Sequence, residues 1–361
     1  MFQLLDPSRV SRIKRAYTTR RVPTDAVAGL DTHGVPTSGD VVVARVDTIG
    51  QHSKLESPDG RRQILFPGDE ILVCYANRYA PAQFEAVVPV EIGPCDLVAA
   101  GGVASSERCR HDSKSAPTAI EVLGFATGAN GQRLQLSDFA MPAPKTTHAR
   151  SPLTIIVAGT AMDSGKTTAA AGIIHGLTAA GLSVGAAKAT GTGAGGDGWL
   201  MADAGASRFL DFVDVGMAST YLMDHHQIVD GFVALHATLA DSGVDVVVIE
   251  VADGLYHHET RQLLLTDELR DRCDAMVFAA GDAAGAIHGV AQLRSMDLPV
   301  CAVSGLLTAS PLAVREAREQ LDVAVLTLAE LWSAQHDLLT VAADRPAIVT
   351  PGAALVGALA S

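Results

Sequence analysis

Residues 153–168 read LTIIVAGTAMDSGKTT, an apolar run that ends on Gly159 and leads into Gly165-Lys166-Thr167-Thr168. These residue types in this order suit the capture of a phosphate chain. Glycines at 159 and 165 let the backbone turn sharply and approach an anion with no Cβ in the way. Amides of the loop, from Thr160 through Ser164 to Thr168, together with the positive end of a following helix, then face phosphate oxygens. Lys166 reaches the terminal phosphates, and the Thr167 hydroxyl is placed to ligate Mg²⁺. The usual spacing G-x-x-x-x-G-K-[ST] puts its first glycine at 160, where this chain has Thr160; Gly159 stands one residue earlier. The plain alternative is a glycine-rich turn that binds nothing. Strand, glycine, GKT and helix in one register argue against it.

A Mg²⁺ ion needs further hard oxygens. The candidates are Glu250, at the end of the apolar run 244–250, and Asp203, with Asp197 in Gly195-Gly196-Asp197-Gly198 as its rival. Their bland readings are a surface carboxylate and an exposed helix residue. Lys188 closes another apolar run and could neutralise charge developing on a transferred phosphoryl group. The glycine-rich stretch 191–196 is either a loop that closes over the site or a plain mobile segment. The pairs His225-His226 and His257-His258 lack the i, i+3 or i, i+4 spacing that chelates a metal. His257 or His258, close after Asp253-Gly254, could instead touch a substrate.

The elements that must position these residues change character near residue 145. Before it, short β-type runs (41–46, 63–66, 71–75, 84–90, 97–100, 120–126, 133–136) alternate with turn residues such as Ser57-Pro58-Asp59-Gly60 and Gly128-Ala129-Asn130-Gly131. After it, apolar strands at 154–158, 183–187, 244–250, 275–280, 300–303 and 323–326 alternate with helical stretches such as 167–180, closed by Gly181. Continuous apolar runs like Val246-Val247-Val248-Ile249 are the mark of strands buried on both faces of a parallel sheet. The expected fold class is therefore α/β, a P-loop doubly wound parallel sheet preceded by a small mostly-β barrel or sandwich. The expected layout is a basic arm at 1–38, the β-rich accessory domain at 39–140, a Pro-rich linker at 141–152 and the nucleotide-binding domain at 153–361.

Composition sets the outer limits. Of 361 residues, 48% are hydrophobic and 19% charged, which suits a compact protein with a sizeable core. A formal net charge of −13 argues against broad nucleic-acid binding, which draws on a basic surface. The local exception is 9–21, where Arg9, Arg12, Lys14, Arg15, Arg20 and Arg21 cluster without an acid; a solvated or loosely docked arm is expected there. Five scattered cysteines, with no CxxC, read as buried thiols of a reducing compartment. No signal-peptide core or membrane-length run is present in the sequence, so a cytoplasmic protein without a membrane partner is expected.

The run Gly159-Thr160-Ala161-Met162-Asp163-Ser164-Gly165-Lys166-Thr167 resembles the G-T-D-T-E-V-G-K-T loop of dethiobiotin synthetases. The likeness extends over about 153–330: residues 184–188 resemble the strand ending in that family's phosphate lysine, here Lys188. Val247-Val248-Ile249-Glu250 with Asp253-Gly254-Leu255 resembles the strand whose terminal Glu helps hold Mg²⁺. Gly285-Ala286-Ile287-His288-Gly289 resembles its G-x-I-N-H segment. Ala189-Thr190-Gly191 with Ala202-Asp203-Ala204 is similar to a P-loop family that includes D-glutamate N-acetyltransferases. The chain departs from the first family at Ala161, at Asp163 where a glutamate meets the amine substrate, and at Ser304-Gly305 where an Asn reads adenine. The resemblance implies an ATP- and Mg²⁺-dependent enzyme, a ligase or kinase that phosphorylates a carboxylate or carbamate of a small molecule. In it Lys166, Lys188 and Asp163 serve catalysis, Thr167, Asp203 and Glu250 hold the metal, and a homodimer is the working form. The alternatives are an acyl-CoA-dependent N-acyltransferase and a nucleotide-switched regulatory or assembly factor; the second, signature lysine of such switches is missing from Thr160-Ala161-Met162.

Overall fold

The computed structural model describes residues 2–142 and 152–333. The chain divides into two compact units. Unit 1 comprises Met1–Pro142, Gly191–Asp197 and Asp211–Asp224, and unit 2 comprises Ala143–Thr190, Gly198–Leu210 and His225–Ser361.

Unit 1 holds β1 (Phe2–Leu4), α1 (Pro7–Val10), β2 (Lys14–Arg15), β3 (Gly29–Asp31), β4 (Val41–Thr48), β5 (Lys54–Glu56), β6 (Arg62–Ile64), β7 (Glu70–Tyr75), β8 (Arg78–Tyr79), β9 (Phe84–Val87), β10 (Pro94–Ala99), β11 (Val103–Arg110) and β12 (Thr118–Thr127). Five of these strands close on themselves: β12 pairs β4, β4 pairs β7, β7 pairs β11, β11 pairs β10, and β10 returns to β12. Of the barrel and the sandwich, unit 1 is the barrel. Its interior draws Val42, Ala44, Ile71, Val73, Leu97, Ala104 and Ile120 from all five strands. Alternate residues Val41, Val43, Leu72 and Cys74 pack outside, against Leu5, Ile13, Val22 and Leu30 of the N-terminal stretch. Both faces of β4 are thus covered, which is why Val41-Val42-Val43-Ala44 reads as an unbroken apolar run.

The first 38 residues therefore do not stand apart as an arm. β1, β2 and β3 pair within the sheet of unit 1. The basic stretch finds carboxylates of its own unit: Arg9 meets Glu70 at 2.7 Å, and Arg20 meets Asp211 at 2.6 Å and Asp214 at 2.8 Å. The glycine-rich stretch 191–196 also belongs here. A Cβ on Gly193 would fall 2.7 Å from Thr18 Cγ2, and the Gly195 amide donates to Glu56 at 2.9 Å. Packing, not mobility, accounts for those glycines. The expected linker lies almost wholly at 143–151, outside the described residues. All five cysteines are free thiols; Cys109 is exposed, contrary to expectation, because it sits in the outward half of β11.

Unit 2 is built on β13 (Leu153–Gly159), α2 (Lys166–Ala179), β14 (Val184–Lys188), α3 (Gly196–Asp203), β15 (Arg208–Asp211), α4 (His225–Asp241), β16 (Val246–Glu250), α5 (His258–Leu264), α6 (Asp267–Arg270), β17 (Ala275–Ala279), α7 (Ala283–Arg294), β18 (Val300–Ser304), α8 (Pro311–Gln320), β19 (Ala324–Val325) and α9 (Leu328–Trp332). The strand order is β15-β14-β16-β13-β17-β18-β19, and the pairings from β14 to β19 are parallel. This is an α/β doubly wound sheet. β13 is central, with β16 on one side and β17 on the other, so the chain winds outward in both directions from it. Sites form at the carboxyl ends of the strands on such a sheet. Ile155, Val157, Ile173, Leu177, Val248 and Val277 fill the core beneath α2. Gly181, at φ 86°, ends α2 as expected: its amide bonds Thr178 O at 2.9 Å and the next amide bonds Leu177 O.

Candidate functional site

The parallel register gathers the candidate residues along one edge. Lys188 is the Cα partner of Glu250, and Glu250 of Val157, two residues before Gly159. Beyond Gly159 the loop turns through Asp163, at φ 64°, and Gly165, at φ 93°, into the first turn of α2. The left-handed region is open to glycine and tolerable for aspartate. A Cβ on Gly159 would lie 2.4 Å from Ser164 Oγ and 2.7 Å from Lys166 Cγ, so the loop closes only with glycine there. The Thr160 amide donates to Ala279 O, and the Leu306 amide to Ser164 O, both at 2.9 Å. These bonds hold the loop from the ends of β17 and β18, on one side of β13.

Lys166 opens α2 and folds back over the loop, donating to Ala161 O at 2.7 Å. It is 6% exposed, and burial holds its ammonium below the ordinary lysine range against the pull of Glu250 and Asp253. Ser164 Oγ is buried and finds no hydrogen-bond partner among the described residues. A helix start with free amides, a buried lysine and an unmatched hydroxyl is a cradle for an anion. This loop is a P-loop.

The Thr167 hydroxyl donates to Glu250 Oε1 at 3.2 Å, and Lys188 Nζ approaches the same oxygen at 3.9 Å. Glu250 is 1% exposed. Thr167 and Glu250 thus present hard oxygens at one place, a fit to Mg²⁺, which takes its other ligands from water and phosphate. Asp203 is not brought there. It is exposed near the end of α3, on the same helical face as Leu200 and Ala204, and lines a groove with Thr168, His175, Leu328 and Trp332. Helical period explains the miss: residues 200, 203 and 204 share a face, and that face turns toward the outer side of α2. Asp203 makes no hydrogen bond or ion pair with Thr167 or Glu250. Thr168 faces the same groove, and Asp197, the rival, lies in a segment of unit 1. Asp163 stays exposed on the loop. Among the described residues no group of three or more His, Cys, Asp or Glu is arranged to hold a metal by itself.

The turn after β16 adds Asp253 and Glu259, to which the sequence assigns no role, beside His257, which it offers as a substrate contact. Asp253 adopts φ 66° and carries a side chain only 11% exposed. Burial pushes its carboxyl above the ordinary aspartate range, while His257, Lys166 and Lys188 pull the other way. His257 is buried, with Nδ1 3.8 Å from Asp253 Oδ2 and Nε2 3.2 Å from Glu259 Oε2. Glu259 is 5% exposed. Gly254 backs onto the P-loop so closely that a Cβ would fall 2.3 Å from Thr160 O. Asp253 was visible as part of an Asp-Gly turn; Glu259 gave no signal, since one acid near a helix start is ordinary.

No family model and no curated protein matches the chain. Among solved structures it is similar to the signal recognition particle receptor FtsY from Elizabethkingia anophelis, at 19% identity over 53% of this chain and 62% of that one, with a TM-score of 0.37. It is also similar to the signal recognition particle 54 kDa protein from Aeropyrum pernix K1 in complex with GDP, at 18% identity over 52% and 44% with a TM-score of 0.37. Chloroplast FtsY from Physcomitrella patens gives 14% identity over 53% and 62% with a TM-score of 0.33. The chain spans less than two thirds of each of these proteins, and neither activity nor partners transfer at such scores. Among the described residues no helix is long and apolar enough to cross a membrane.

Proposed function

We propose that unit 2 binds a nucleoside triphosphate with Mg²⁺ and transfers its terminal phosphoryl group to a small acceptor. The observation that carries this reading is the convergence of Lys166, Thr167, Lys188 and Glu250 at the end of β13, β14 and β16, beside the P-loop. The loop amides and Ser164 Oγ bind the phosphate chain. Lys166, buried, and Lys188, partly buried, offset the charge that gathers on the transferred group, where a cation is worth most as water is excluded. Thr167 and Glu250 would hold Mg²⁺, which would supply further charge neutralisation on the phosphate oxygens. The likeness to dethiobiotin synthetases favours ATP as donor and a carboxylate or carbamate as acceptor.

A second reading, a nucleotide-switched regulator, has one observation in its favour. The turn after β16 backs closely onto the P-loop at Gly254, where a Cβ would fall 2.3 Å from Thr160 O, so a change in the loop on nucleotide binding has a neighbouring turn to act on. The two readings share the nucleotide site and differ in whether bound nucleotide gives up its phosphoryl group to an acceptor or moves that turn.

Isothermal titration with non-hydrolysable ATP and GTP analogues plus Mg²⁺, beside acetyl-CoA, tests the proposal with Lys166→Ala as control. Binding of an analogue should weaken at least about 30-fold in the variant, the worth of a charge-assisted contact of about 2 kcal/mol. Binding of acetyl-CoA with no response to either analogue would overturn the proposal and favour acyl transfer.

A further inference from the structure

Asp253, His257 and Glu259 form a chain of titratable groups on the turn after β16, and nothing in phosphate binding requires them. Thr260 Oγ1 donates to Ala252 O at 2.8 Å, so its lone pairs are what face His257 Nδ1 at 3.2 Å. On the far side of the ring Nε2 faces Glu259 Oε2 at 3.2 Å. Asp253 stands 3.8 Å from the ring, and no described residue donates a hydrogen bond to its carboxylate. The charges it faces are those of Lys166 from α2, Lys188 from β14, and His257 and Glu259 from the segment that begins α5.

We propose that Asp253 is the base that takes a proton from a hydroxyl or water as that oxygen attacks the terminal phosphorus, with His257 and Glu259 as positioning residues. The inference rests on the nucleotide reading above and puts a hydroxyl or water in place of the carboxylate or carbamate acceptor that the family likeness favours. The new oxygen–phosphorus bond forms as the bond to the leaving diphosphate oxygen breaks; the oxygen–hydrogen bond breaks, and its proton passes to the Asp253 carboxylate. A carboxylate or carbamate attacks already deprotonated and has no use for this group. A hydroxyl-bearing acceptor does, and so does water when no acceptor is present. The geometry also suits a base, because the Asp253 carboxylate feels the charge of two lysines, is engaged by no fixed donor and keeps part of its side chain exposed.

The test is phosphate release by the full chain from saturating MgATP and MgGTP, followed against pH, beside binding of the non-hydrolysable analogues. Asp253→Asn keeps a residue that tolerates positive φ and removes only the charge. Analogue binding should stay within about threefold while phosphate release falls about 100-fold or more, and the acid limb of the pH profile should vanish. Glu259→Gln removes a negative neighbour, so the acid limb moves to lower pH; His257→Gln removes a positive one, so it moves to higher pH. Opposite shifts from two adjacent residues are not what a loss of packing produces. Asp253→Asn releasing phosphate at the wild-type rate would overturn the assignment. So would wild-type protein that binds an analogue yet releases no phosphate above the Lys166→Ala background. Wild-type protein that binds neither analogue removes the nucleotide reading itself, a distinct result.

Discussion

Unit 1 and unit 2 each bury a cluster of opposite charges, and the two clusters are built to different tolerances. In unit 1 Arg20 meets Asp211 and Asp214 at 2.6 and 2.8 Å, and Tyr17 donates to Asp211 at 2.6 Å. Burial works against the Arg20 charge, yet Asp211 and Asp214 still hold it above the usual arginine range. In unit 2 Lys188 stands 3.9 Å from Glu250, His257 stands 3.8 Å from Asp253, and Lys166 reaches a carbonyl in place of a carboxylate. Burial there moves Lys166 down and Asp253 up, each toward its neutral form. Opposite charges thus close on one another around Arg20 in one unit, and stand apart at Lys188–Glu250 and His257–Asp253 in the other. A closed network stabilises its own fold; an open one leaves charge for a ligand.

The largest effect should come from breaking the closed network. Arg20→Met leaves Asp211, with a side chain 2% exposed, and Asp214 without their main cation. Removing one partner of a buried pair costs about 3–5 kcal/mol. Chemical denaturation followed by far-ultraviolet circular dichroism should show that loss. A change below about 1 kcal/mol would mean that the network is not structural, and the contrast between the units would fall.

Acid should act on both units through histidines that the clusters do not use. His52 in unit 1 and His236 in unit 2 are each held down to about 4, by burial first and then by Arg78 and Arg272 respectively. The unfolded chain takes up a proton at each near pH 6.5, while the native protein does not until about pH 4. Stability is therefore lost as pH falls from about 6.5 to about 4, by about 3 kcal/mol for each histidine. Both tryptophans, Trp199 and Trp332, belong to unit 2. Their fluorescence should lose its acid dependence over this window in His236→Gln and keep it in His52→Gln.

How much of this was legible in the sequence depends on how far each signal reaches. Val246-Val247-Val248-Ile249 marked an inner strand and Gly165-Lys166-Thr167 marked the P-loop, because both patterns are complete within a few residues. The edge strand β15 and the strand β11 carry no such pattern; Ser106 through Arg110 is polar, since the outer half of β11 is turned to solvent. The basic stretch was misjudged for another reason: the Arg20 partner Asp211 lies 191 residues away. Asp203 is a candidate by residue type and by the resemblance of Ala202-Asp203-Ala204 to a P-loop family, and the helix phase that removes it from the site depends on where α3 packs. Asp253 was in plain view, but its burial and its facing lysines exist only once β14, β16 and α2 are assembled.

The smallest expected effect gives the sharpest contrast with Arg20. Lys166 is as buried as a structural cation, and by burial alone its removal should destabilise. Its ammonium, however, sits below the ordinary range because burial outweighs the pull of Glu250 and Asp253. A cation depressed in the fold binds its proton more weakly than in the unfolded chain, so the native state gains stability as pH rises toward 10.5. Lys166→Met keeps the stem and deletes that penalty. Stability at neutral pH should then stay level or rise, within about 1 kcal/mol, and its alkaline slope should flatten, while nucleotide binding is lost. A loss of about 3 kcal/mol or more, the scale expected for Arg20, would place Lys166 among the closed networks. Equal costs at both sites would erase the distinction between a cluster that holds the fold and one that waits for phosphate.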